Sequence, residues 1–162
     1  MSRESSAEPK TQRDTIVSTT RLTDWQAGVL AGLFGSLGMG IVMVAMAPEV
    51  MAVAIPALYG LQGGAIGWIF HMAHGAVLGV VFAALVERTD LGEYATGIGR
   101  SARFGALYGG VLWAVLAVVV MPIWLGAVGF AGAPPLPNVN IGSLFMHFVY
   151  GLIVGALYPV LR

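Results

Sequence analysis

The sequence predicts an all-α integral membrane protein with four transmembrane helices, arranged as a parallel duplication of a two-helix unit. Three observations carry that expectation. Charged residues make up only 10% of the 162-residue chain and apolar residues 57%, whereas an ordinary soluble domain is about 25% charged, so too few ionised groups are present to cover a surface in water. Four apolar stretches approach the length that a hydrocarbon core of about 30 Å requires of a helix rising about 1.5 Å per residue. The second half of the chain also repeats glycine, proline and histidine markers of the first half in the same order.

The first span is expected from Gln26 to Ala47, after a polar tail over residues 1–25 that mixes both charge signs with serine and threonine. Thr23 and Asp24 offer N-cap oxygens at its start. A signal peptide is a poor account of this stretch, because its apolar run is longer than the roughly 7 to 15 residues of such a segment and its polar leader is too long. The second span is expected from Ala65 to Leu85, the third from Phe104 to Met121 and the fourth from Ile141 to Leu161. Residues 86–103 then form a connector between a first repeat, 26–85, and a second, 104–162.

Basic residues set the expected orientation. Arg3, Lys10, Arg13 and Arg21 precede the first span, Arg88, Arg100 and Arg103 lie between the second and third, and Arg162 ends the chain. An even number of spans puts all of them on one side, so the positive-inside rule places both termini in the cytoplasm of a multi-pass cell-membrane protein. The opposite loops, 48–64 and 122–140, hold one ionisable residue, Glu49. Both are too apolar for bulk water, and Pro56, Pro122, Pro134, Pro135 and Pro137 are expected to interrupt any continuous helix there. Caps folded over the bundle, or surfaces covered by a partner, are the expected solution.

The duplication appears on alignment of the halves. At an offset of 74 residues Leu33, Gly35, Val44 and Pro48 meet Leu107, Gly109, Val118 and Pro122; at 76, His71, Gly75 and Gly79 meet His147, Gly151 and Gly155. Two-span repeats enter the membrane in the same direction, so their axis runs along the membrane normal. Gly28 with Gly32, Gly75 with Gly79, Gly105 with Gly109 and Gly151 with Gly155 are each four apart, hence on one helix face. Such faces allow backbones to approach closely where lipid removes most of the hydrophobic drive.

The four expected spans contain no Asp, Glu, Lys or Arg, which argues against an ion-coupled pump of the usual kind. No cysteine is present, so disulfides, thiolate metal sites and cysteine nucleophiles are excluded, and eight basic against eight acidic residues give no field for nucleic acid. The phosphate-binding and nucleophile-elbow motifs of soluble enzymes are missing too. The polar groups left are His71, His74 and His147. His71 and His147, on parallel helices at matched depth, suit the axial positions of a haem b in an electron-transfer subunit, with Gly75 and Gly151 leaving room for the macrocycle. His71, His74 and His147, completed by Glu49, are the alternative metal set. Structural histidines account for the same pattern without any cofactor. The leading expectation is therefore an accessory or interaction subunit, in contact with lipid and with a membrane protein partner or a second copy of itself. A membrane cytochrome and a small transporter or pore are the alternatives.

Overall fold

The structure, a computed structural model, describes residues 22–162, so Arg3, Lys10, Arg13 and Arg21 lie outside the described residues. Helix α1, Asp24–Met46, begins after Thr23, whose backbone N–H donates to Oε1 of Gln26 at 3.0 Å, half of a capping box. It ends where Ala47, at φ −152° and ψ 64°, leaves helical geometry in front of Pro48, because a proline ring crowds the helical conformation of the residue before it. A short segment, α2 (residues 50–57), folds back before α3, Gly64–Arg88. A 3₁₀ turn over Asp90–Ala95 leads to α4, Ile98–Ala127, and an extended loop to α5, Ile141–Leu161. α1, α3, α4 and α5 are each long and apolar enough to cross a membrane.

Their outward faces are apolar. Phe34, Leu37 and Ile41 on α1, Ile69, Val77 and Val81 on α3, Leu107, Val111 and Val115 on α4, and Phe145, Phe148 and Leu152 on α5 are all exposed. Each set recurs at helical spacing, so each helix turns one continuous apolar stripe outward. A multi-pass membrane protein in contact with lipid is the architecture that such a surface fits. Arg88, Arg100, Arg103 and Arg162 gather at one end of the bundle, here termed the charged end.

Glycine faces join the helices in antiparallel pairs. In the α1–α3 pair a Cβ on Gly32 would come within 3.0 Å of the Gly79 Cα, and one on Gly28 within 2.7 Å of the Gly79 carbonyl oxygen. In the α4–α5 pair a Cβ on Gly105 would come within 2.8 Å of the Gly155 Cα. Backbone therefore lies against backbone, and dispersion contacts are gained over the whole length of each pair. α1 also packs closely along α5, whereas α3 and α4 stand apart. At the charged end that gap is closed by Phe82, fully buried, whose ring lies 5.4 to 5.5 Å from those of Phe104, Tyr108 and Tyr158. The Tyr108 hydroxyl donates across the gap to the Leu78 carbonyl at 2.8 Å.

The third crossing departs from expectation. α4 does not stop at Met121 but runs to Ala127, so Pro122 does not interrupt it, and Pro56 lies within α2 rather than breaking it. Wide i→i+5 turns precede both prolines, over Val50–Ala54 and Trp113–Val120. A proline withholds one backbone donor, and here the carbonyls it leaves free are bonded from afar. Gly63 N–H donates to Ala52 O at 3.0 Å, Asn138 N–H to Val118 O at 3.0 Å, and Asn138 Nδ2 to Ala117 O at 3.4 Å. The Asn138 bonds tie the second apolar loop back onto α4, while the Gly63 bond closes the first loop on its own α2 segment.

Candidate functional site

Aromatic rings bridge α3 and α4 around Phe82 at the charged end and through Phe70, Tyr59 and Trp124 at the other, and the half of the bundle away from the charged end holds a cavity of about 790 Å³. α1, α3, α4 and α5 supply its walls, and α2 with the loop around Phe130, Pro134 and Asn138 forms its roof. The floor is polar but satisfied: the Tyr150 hydroxyl donates to the Gly75 carbonyl at 2.8 Å, joining α5 to α3, and the Ser36 hydroxyl donates to Gly32 O at 2.8 Å. Four methionines, Met39, Met43, Met121 and Met146, line the walls with Leu112 and Leu116. Flexible thioethers of this kind accommodate varied shapes. Both wide-turned segments border the cavity, and such turns recur at functional sites.

All three histidines and Glu49 lie on this cavity. His71, buried on α3, donates from Nε2 to the Ser36 carbonyl at 2.9 Å. His147, half-buried on α5, donates from Nδ1 to the Ser143 carbonyl one turn earlier, at 2.7 Å. A carbonyl oxygen only accepts, so each of these nitrogens carries the hydrogen, and in the neutral ring the other nitrogen is an acceptor. His74 instead pairs its Nε2 with the hydroxyl of Tyr59 at 2.5 Å, at the edge of the site. Tyr59 is stacked on Phe70, with ring centroids 3.9 Å apart. Glu49 is exposed.

The cavity thus unites the sequence-selected residues without clustering them as metal ligands. Among the described residues no three His, Cys, Asp or Glu side chains come together in a way that could hold a metal ion. The space that Gly75 and Gly151 were expected to leave for a macrocycle is already taken. A Cβ on Gly75 would run into Ser36, and one on Gly151 into the Gly105 carbonyl and, at 2.9 Å, the Gly109 nitrogen. At Gly28, Gly32, Gly79, Gly105, Gly109 and Gly155 likewise a Cβ would meet the backbone of a neighbouring helix.

Sequence reasoning gave no site role to Tyr150, Ser36, Asn138 or the methionine lining. Two of them carried a signal: Tyr150 stands at the position that aligns with His74, and Ser36 shares a small-residue face with Gly40. The chain matches no protein-family model, no curated protein and no solved structure.

Proposed function

We propose that the chain is a small membrane-embedded binding subunit that holds an apolar molecule in the half of its bundle away from the charged end. The observation that carries this reading is the cavity of about 790 Å³, within the range of roughly 300 to 1,000 Å³ typical of small-molecule sites and like them mainly apolar with a few polar groups. The positive-inside rule, applied to Arg88, Arg100, Arg103 and Arg162, places the cavity in the outer leaflet and both termini in the cytoplasm. The α3–α4 gap, bordered on α3 by the exposed Val77, then offers an entry from lipid.

Duplication of a two-helix unit is part of the proposal. Its support is that Gly32 meets the Gly75 carbonyl and Gly79 Cα as Gly105 meets the Gly151 carbonyl and Gly155 Cα. The packing register relates Gly32 to Gly105, 73 residues on, one fewer than the offset that best aligns the sequence.

The test is extraction of the protein with its surrounding lipid, without detergent, followed by mass spectrometry of solvent-extracted small molecules. An apolar compound should accompany the wild type and fall at least tenfold in Leu116→Trp, which fills the cavity, but persist in Leu107→Trp on the lipid face. Equal recovery from the two variants would defeat the reading. A Soret band in the same preparation would identify the compound as a haem, and loss of its six-coordinate spectrum in both His71→Ala and His147→Ala would be needed to assign those histidines as its axial ligands.

The accessory role is a second reading, favoured by the exposed apolar side chains of Val128, Leu136, Val139 and Ile141 at the cap end. Cross-linking from position 139 to a second membrane protein in native membranes would support it, and exclusive reaction with lipid would count against it.

A further inference from the structure

We infer that the ligand is a lipophile whose head carries hydroxyl donors, of the hydroquinone class, and that the site discriminates against the corresponding quinone. This rests on the binding reading above and adds the chemistry of the head group. The ground is the pair of histidine tautomers. His71 is fixed with its hydrogen on Nε2 by the Ser36 carbonyl, and His147 with its hydrogen on Nδ1 by the Ser143 carbonyl. Nδ1 of His71 and Nε2 of His147 are therefore acceptors. No described residue donates to either, yet neither is among the sealed, unpartnered polar atoms, of which the described residues hold one, Ser101 Oγ. Both side chains line the cavity and neither nitrogen is sealed off, as two acceptors turned toward a ligand there require.

A group that satisfies an acceptor must bring a hydrogen. The hydroxyls of a hydroquinone do so, whereas the carbonyls of a quinone set lone pair against lone pair. Moving either hydrogen to the other ring nitrogen, so as to present a donor, would give up the bond to the backbone carbonyl and set a ring lone pair against its oxygen. The two hydroxyls on the floor are already committed as donors: that of Tyr150 to Gly75 O and that of Ser36 to Gly32 O. The hydroxyls thus find partners at His71 and His147, and an apolar tail runs along the methionine-lined wall toward the α3–α4 gap. Iron would use the same lone pairs, but His71 offers Nδ1, the nitrogen flanked by its own Cβ-bearing carbon and the more crowded approach for a macrocycle. The chain furnishes binding alone, and no electron transfer is assigned to it.

The probes are 2-decylhydroquinone and 2-decylbenzoquinone, titrated anaerobically into the full chain in lipid nanodiscs and followed by tryptophan fluorescence. The hydroquinone should bind about tenfold or more tightly than the quinone, the effect of roughly one buried acceptor left unpaired. His147→Phe, which keeps an aromatic ring but removes one of the two acceptors, should lower the ratio severalfold and leave the part that His71 supplies. Nitrogen-15 spectra of the unliganded protein supply a check that needs no variant: His71 should show an unprotonated Nδ1 and His147 an unprotonated Nε2. Equal affinity for the two probes, or the opposite tautomers, would overturn the inference and leave the binding reading intact. So would recovery of a different co-purifying apolar compound with no affinity for either probe. If neither probe binds and no apolar compound accompanies the protein, both fall together.

Discussion

Gly105 and Gly99 stand six residues apart on α4 and have opposite surroundings. A Cβ at Gly105 would meet the backbone of Gly155 at 2.8 Å, whereas nothing lies within 4 Å of one at Gly99. Gly105→Ala should therefore force α4 from α5 and destabilise the protein by about 1 to 3 kcal/mol, the usual range for overpacking. Gly99→Ala should be neutral or stabilise by up to about 1 kcal/mol, through helix propensity alone. Thermal unfolding of the two variants in nanodiscs separates these outcomes, and similar losses in both would contradict the packing described. Glycine spacing made such contacts legible in the sequence, because residues four apart must share a helix face. The histidines were legible only as polar residues of the second and fourth apolar stretches. Which ring nitrogen faces the cavity depends on the carbonyls of Ser36 and Ser143, and no spacing rule encodes that choice.

At the scale of elements, the caps hold the lesson. Pro122 in sequence reads as a stop, and by its own chemistry it should be one, since it removes the donor that Val118 O would use. The helix continues because Asn138 supplies donors to Val118 O and Ala117 O from the far side of a loop, a compensation too distant for local pattern to reveal. Asn138→Ala keeps the backbone bond and loses the side-chain one, a cost of about 1 kcal/mol. It should speed amide exchange in residues 129–140 while leaving residues 98–112 of α4 protected. Uniformly faster exchange along α4 would mean that the cap supports the entire helix. By contrast α5 matched its expected limits of Ile141 and Leu161, since Asn140 caps it by accepting from the Ser143 N–H at 2.9 Å.

For the whole molecule, hydropathy foretold four long apolar helices and their even number foretold that Arg88, Arg100, Arg103 and Arg162 lie at one end, but the cavity was not foreseeable. It arises because α1 follows α5 closely while α3 and α4 diverge, an asymmetry between halves whose repeated markers suggested equivalence. The crossing pattern itself can be checked cleanly, as the chain contains no cysteine. Single cysteines introduced at positions 95 and 130 should react with impermeant thiol reagents from opposite faces of the bilayer. Labelling from the same face would remove the basis for orientation and cavity alike.

The most direct test of the cavity as a binding site uses the methionine methyl groups. Met39, Met43, Met121 and Met146 line it, whereas Met51 and Met72 do not. In carbon-13 methyl spectra of the protein in nanodiscs, removal of the co-purified apolar compound and its restoration should move the first four resonances and leave Met51 and Met72 in place. Shifts spread evenly over all six, or confined to Met51 and Met72, would contradict the account.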